Sequence, residues 1–118
     1  MISASREGIL QASFEQWGCE MHARLSRWAG LPPERLTQTV TEFEQQSLPV
    51  LEQQSGFDGV IVMVDENAGK AAAMTFWETR DEMRATDRLA EEMRARAEAT
   101  AQAQRDPVVD HYEILFRR

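Results

Sequence analysis

Apolar side chains recur along this chain at two spacings, and each spacing implies its own kind of element. Met21, Ala23 and Leu25 alternate with His22, Arg24, Ser26 and Trp28, the period-two pattern of a strand from Met21 to Trp28. Gly30 breaks it. Pro32 and Pro33 then supply a fixed φ at the start of a segment in which Leu36, Val40 and Phe43, followed by Ser47, Val50 and Leu51, recur at helical spacing. Pro49 lies inside that pattern, where it lacks a backbone donor and crowds the preceding turn. The spacing therefore predicts a helix that kinks or restarts near Gln46 to Leu48 and ends by Ser55.

Two strand-like runs follow, Phe57 to Asp65 and Lys70 to Trp77, joined by Glu66-Asn67-Ala68-Gly69, whose Asn and Gly tolerate the positive φ of a short hairpin loop. Thr79 and Glu82 have the spacing of a capping box, and Met83, Leu89 or Ala90, Met93 and Ala97 continue as a helical stripe. Arg88 with Glu92, and Glu92 with Arg96, flank it at i,i+4 spacing. One long helix from Arg80 to about Gln102 is predicted. Pro107 stops it, and Val108 to Phe116 alternates as a last strand.

The order β-α-β-β-α-β defines an α+β, ferredoxin-like fold, an antiparallel sheet with both helices on one face. The strands carry apolar residues at both parities, Val60, Val62 and Val64 opposite Phe57, Ile61 and Met63, which is costly if the second face meets water. A homodimer that covers it is expected. Residues 1–20 precede this unit as an extension, with Leu10, Phe14 and Trp17 at i, i+4 and i+7, so a short docked helix is expected there and the main domain over 21–118.

Composition narrows the function classes. With 118 residues the chain has the size of one domain, and 20 acidic against 13 basic side chains give a net charge of −7. Such a surface repels a phosphate backbone and an anionic membrane, so neither nucleic acid nor membrane is an expected partner. Cys19 stands alone and no apolar run reaches the length of a membrane helix, which makes a reducing cytoplasm the expected compartment. No metal site is expected. His22 and His111 fall at different heights of their strands, and Asp65-Glu66-Asn67 lacks the acidic series of a calcium loop. Gly56-Phe57-Asp58-Gly59 precedes a strand and lacks the Lys of a phosphate loop.

Several short motifs, in this order, resemble the antibiotic biosynthesis monooxygenase family of dimeric α+β barrels. They are Leu48-Pro49, the Ser55 to Gly59 approach to the hairpin, the Asp65 to Gly69 turn, Thr75-Phe76-Trp77-Glu78-Thr79, and Val109 to Ile114. The resemblance spans roughly Met21 to Phe116. It implies oxidation of a small aromatic or quinone-like metabolite by molecular oxygen, with no metal or organic cofactor, in a pocket between sheet and helices. It places Trp77 against the substrate ring, Thr75 and Met83 in the pocket wall, and Arg24 or His22 where a phenolic oxygen is polarised. Trp28 and Tyr112 complete the expected substrate contacts. Family anthrone oxidases carry an Asn four residues before the tryptophan and a Tyr six after it; here those positions hold Ala73 and Met83. The haem-degrading branch uses a helix-borne Trp and a His ligand, and Thr79 to Gln104 contains neither.

Two readings stay open on the residues alone. Trp77 either stacks on a ligand or fills core, and His22, Arg24, Ser26 and Trp28 either wall a pocket or meet a partner subunit. The alternative function is a non-catalytic homodimeric module that binds a small molecule or a partner. Arg117-Arg118 reads as a solubilising tail.

Overall fold

The computed structural model describes residues 21–118; the helix expected over residues 1–20, and Cys19 with it, lie outside the described residues. Strand β1 spans His22–Trp28, β2 Phe57–Asp65, β3 Lys70–Trp77 and β4 Val108–Glu113. They form a four-stranded sheet in the order β2-β3-β1-β4, antiparallel at each pairing. The helical arm after β1 opens with a 3₁₀ turn, Pro33–Arg35, and continues as α1, Leu36–Glu42, a π-helical segment, Phe43–Ser47, and α2, Leu48–Glu52. After β3 come α3, Arg80–Ala85, and α4, Asp87–Ala101. This is the α+β, ferredoxin-like architecture that the hydrophobic pattern predicts, with both helical arms on one face of the sheet.

Each departure from the predicted elements has a local cause. Pro49 has no N–H for a bond to the Gln45 carbonyl and crowds that turn, so the backbone widens there. The Leu48 N–H reaches back five residues to the Phe43 carbonyl, which is the π-helical bond, and α2 restarts with Pro49 in its first turn. The helix predicted from Arg80 to Gln102 is two helices. The Met83 carbonyl accepts from the Thr86 N–H at 3.1 Å and from the Thr86 hydroxyl at 2.7 Å, which ends α3 before α4 begins at Asp87. The capping box forms as predicted, with the Glu82 N–H donating to Thr79 Oγ1 at 3.1 Å.

Strand β4 stops at Glu113, short of the predicted Phe116. Met21 accepts the Ile114 N–H at 2.8 Å, and β1 offers no further backbone among the described residues. Beyond it Arg117 does more than solubilise: its guanidinium stacks 4.7 Å from the Phe76 ring centroid and bonds Asp58 at 3.1 Å. A bulge at Asp58 shifts register between Phe57 and Gly59, so Phe57 joins Val60 and Val62 on the helix side rather than opposing them. There its ring meets Trp77 edge-on at 5.5 Å.

Register assigns the remaining side chains to faces. Arg24 pairs with Thr75 and with His111, and Ser26 with Ala73 and Val109, all beneath the helices. Leu25, Met74, Ile61 and Tyr112 share the open face, where Ile61 is 48% and Tyr112 49% exposed. In the hairpin loop Gly69 has φ +66°, and a Cβ there would come within 2.6 Å of the Leu31 carbonyl oxygen. Gly69 also accepts the Leu31 N–H at 2.9 Å, tying the loop to the start of the first helical arm. Gly69→Ala is expected to lower unfolding stability by about 1–3 kcal/mol in urea titrations; an unchanged midpoint would show that the loop adapts.

Candidate functional site

Between the helix-side face of the sheet and the two helical arms lies a cleft of about 60 Å³. Its floor is Arg24, Ser26 and Trp28 of β1 with Ala73 and Thr75 of β3. Phe43 and Leu51 close it from the first helical arm, and Ala90, Met93, Arg94 and Ala97 of α4 from the second. The π-helical turn sets Phe43 at this wall. Trp28, Phe43, Ala73 and Ala97 also border an adjoining cavity of about 60 Å³ whose other walls include Leu36, Val40 and Val62. Alanines at facing positions of sheet and helix leave this space open, since a larger side chain at Ala73 or Ala97 would fill it.

The two ends of the cleft differ in polarity. At one end Arg24, 3% exposed, sends its guanidinium into the junction of α3 and α4. Nη2 donates to the Met83 carbonyl at 2.8 Å and to Asp87 Oδ1 at 2.5 Å, and Nη1 to Thr86 Oγ1 at 3.3 Å. Arg94 stands beside it. Burial, and after it the Arg24 cation, pushes the Arg94 guanidinium below its usual range, against the opposite pull of Glu91, Asp87 and Glu98. Arg94 Nη1 and Trp28 Nε1 are buried and have no hydrogen-bond partner among the described residues. Buried donors are almost always satisfied, so two unpaired N–H groups on one small cleft point to an acceptor that completes them.

Behind the two arginines, a shallower surface depression is lined by Asp87, Arg88, Glu91, Val109 and His111. Burial first, then Arg24, Arg84 and Arg94, lowers the His111 pKa, while Asp87 raises it. His111 Nε2 is 4.0 Å from Asp87 Oδ1, so at neutral pH this is a contact of a neutral imidazole rather than an ion pair. No cluster of three or more His, Cys, Asp or Glu side chains suited to a metal occurs among the described residues. Nor is any helix there long and apolar enough to cross a membrane.

No family sequence model and no curated protein matches the chain. Solved structures do. A monooxygenase of Streptomyces coelicolor, ActVA-Orf6 in complex with nanaomycin D, superposes with a TM-score of 0.67 at 12% identity, covering 85% of this chain and 91% of that one. SnoaB, a cofactor-independent oxygenase of Streptomyces nogalater, gives 0.53 at 13% identity over 84% and 95%. The fold is that of the antibiotic biosynthesis monooxygenases. It is also the fold of NE2512, a Nitrosomonas europaea protein of unknown function, with a TM-score of 0.62 at 16% identity over 85% and 94%. At these identities the likeness is one of fold.

Within this monooxygenase fold the residues singled out from sequence divide into three groups. Arg24, Trp28 and Thr75 line the cleft. Trp77 and Met83, expected in its wall, lie behind it: Trp77 is 0% exposed, packed with Leu51, Met83 and Met93, and its indole N–H is taken by Thr75 Oγ1 at 2.9 Å. Thr75 thus separates Trp77 from the cavity. His22 lies on the helix-side face two positions before Arg24, outside the cleft lining, and Tyr112 sits on the opposite, open face as the partner of Ala23. Arg24 faces the cleft, and three of its five N–H groups bond the helix junction, so it anchors the start of α4. Arg94 and Phe43 were not singled out. The signal for Arg94 was a cation inside the stripe Ala90, Met93, Ala97, and for Phe43 the proline six residues on that loosens its turn.

The clamp gives a stability prediction. Arg24→Gln is expected to lower the unfolding free energy by about 2–3 kcal/mol. Arg84→Gln, which loses an exposed 3.5 Å pair with the same Asp87, is expected to change it by less than about 0.5 kcal/mol. Chemical denaturation of the two variants beside the parent separates the outcomes, and equal effects would refute the clamp.

Proposed function

We propose that this protein is a cofactor-independent oxygenase that binds a small phenolic or hydroquinone-like metabolite in the cleft and oxidises it with molecular oxygen to a quinone. One observation carries the reading: an apolar cleft between sheet and helices has in its wall a half-buried cation, Arg94, with an enclosed and unpaired Nη1, and an unpaired indole N–H. The same fold is found in an oxygenase described as cofactor-independent, SnoaB, and in a monooxygenase that holds nanaomycin D, ActVA-Orf6.

The chemistry asked of the chain is modest. A hydroquinone, already oxygenated at both positions, would give its quinone by passing two electrons and two protons to oxygen, released as hydrogen peroxide. A phenolate with hydrogen on the ring carbon opposite its own oxygen is electron-rich enough to react with oxygen at that carbon. The dioxygen bonds to that carbon, the O–O bond then breaks, one oxygen atom stays as the new carbonyl, and the other leaves as water with the two hydrogens lost by the ring and the hydroxyl. The protein's part is to favour the anion and exclude water. Arg94 supplies a positive charge that solvent screens only in part, and Trp28 Nε1 donates to the ring oxygen as it gains and redistributes charge. Phe43 and Ala73 give the ring an apolar slot. No Brønsted base lines the cleft among the described residues, so the phenol's proton passes to solvent before the anion binds.

A second reading, a binding module without turnover, is favoured by Ala73 and Met83 at the positions where anthrone oxidases carry Asn and Tyr, and by the lack of a Brønsted base among the described residues of the cleft. Oxygen uptake and quinone formation across a panel of anthrones and dihydroquinones, with chelator present, decide between them. Turnover is expected, falling at least tenfold in Trp28→Phe, which keeps the ring and removes the N–H. Saturable fluorescence quenching with no oxygen uptake on any of the panel would select the binding module.

The open sheet face belongs to the same proposal, because this fold leaves Ile61, Met63, Val108 and Tyr112 exposed together. A second copy of the chain is the occupant that matches the dimeric barrels this sequence resembles. Sedimentation is expected to show a dimer that the double substitution Ile61→Glu, Met63→Glu converts to monomer; a monomeric parent protein would refute it.

A further inference from the structure

The two unpaired donors of the cleft differ in what they need. Trp28 Nε1 is a neutral donor and any oxygen acceptor completes it. Arg94 carries charge, and among the described residues it enters no ion pair, whereas its neighbour Arg24 is matched by Asp87 at 2.5 Å. A guanidinium that is partly desolvated, beside a second guanidinium and without a carboxylate of its own, is stabilised by a ligand anion. A carboxylic acid arrives at neutral pH already ionised. A phenol of ordinary acidity, pKa about 10, arrives neutral, and its ionisation at pH 7 is unfavourable by roughly a thousandfold. The planar fork of Arg94 also matches the two coplanar oxygens of a carboxylate better than the single oxygen of a phenolate.

Size points the same way. The cleft and the adjoining cavity are about 60 Å³ each and share walls at Trp28, Phe43, Ala73 and Ala97, so only joined do they approach the roughly 150 Å³ of a cavity that holds one aromatic ring, and a fused three-ring system exceeds them. We infer that the ligand is a single-ring aromatic carboxylate, its ring against Phe43, Ala73 and Ala97 and its carboxylate on Arg94, with a ring hydroxyl directed at Trp28 Nε1. The inference names the ligand class of the site proposed above. It requires the cleft to be a ligand site and does not require the oxidation.

Benzoate is the probe, titrated into the full chain under nitrogen and followed by the indole N–H resonance of Trp28, assigned by its loss in Trp28→Phe. A saturable shift is expected, with benzamide, the neutral analogue, binding at least tenfold more weakly. Arg94→Gln should weaken benzoate at least tenfold and erase the difference from benzamide, Arg94→Lys should retain part of that difference, and Arg80→Gln, on the exposed start of α3, should leave both unchanged. Equal binding of benzoate and benzamide, undiminished benzoate binding in Arg94→Gln, or no saturable shift at all would overturn the carboxylate site. Arg94-dependent benzoate binding without oxygen uptake on any phenol would keep this inference and overturn the oxygenase. Turnover of neutral dihydroquinones, with benzamide bound as well as benzoate, would do the reverse.

Discussion

The buried guanidinium of Arg24 ties the sheet to the helices, and the position of the cleft depends on it. Moving a guanidinium out of water costs several kcal/mol unless its donors and its charge are matched. Here both are matched at one place, the turn between α3 and α4, where the Met83 carbonyl, the Thr86 hydroxyl and Asp87 accept from it. The same turn is the one that Thr86 closes by satisfying the Met83 carbonyl from its own backbone and side chain. The start of α4 is therefore fixed over the middle of β1, and its Ala90, Met93, Arg94 and Ala97 face Ser26, Trp28, Ala73 and Thr75 across the gap. Without that anchor α4 could settle onto the alanines of the sheet and close the space.

The order of strands and helices, the hairpin and the capping box were legible because each rests on local chemistry: period two, period 3.6, a Gly-bearing turn, and Thr79 three residues before Glu82. The irregularities were not, for a common reason. Periodicity counts side chains, whereas the π-helical turn at Phe43, the bulge at Asp58 and the break at Thr86 are changes in which carbonyl meets which N–H. Pro49 announced a disturbance without saying how the backbone would absorb it. A one-residue bulge was enough to move Phe57 across the sheet and reverse its expected face.

The site was legible by parity and obscured by the family's tryptophan. Arg24, Ser26 and Trp28 share one face of β1, and that face does floor the cleft. Trp77 drew attention as the strand-end tryptophan, yet its N–H is satisfied by Thr75 and its ring is enclosed by Leu51, Met83 and Met93. The unpaired donor belongs to the other tryptophan, Trp28. Both tryptophans have a hydroxyl residue two positions before them, Thr75 and Ser26, and only Thr75 accepts from its tryptophan, a difference that strand periodicity does not resolve. Both faces of the sheet are apolar, so the pattern could not say which one the helices cover.

A net charge of −7 does not argue against an anion in the cleft. Charges at the surface are screened by water and salt over roughly 8–10 Å, so the carboxylates that dominate the total act weakly at depth. What a buried ligand experiences is set by the nearest groups, and at the polar end of the cleft those are the half-buried Arg94 and the buried, Asp87-matched Arg24. Burial and the repulsion of Arg24 lower the Arg94 pKa, and the acidic residues Glu91, Asp87 and Glu98 offset that in part. The surrounding acids act on the cation from a distance, while a ligand carboxylate would meet its unpaired Nη1 directly. An acidic protein with a cationic interior site is consistent on this account, and its preference among ligands is decided by groups that contribute little to its overall charge.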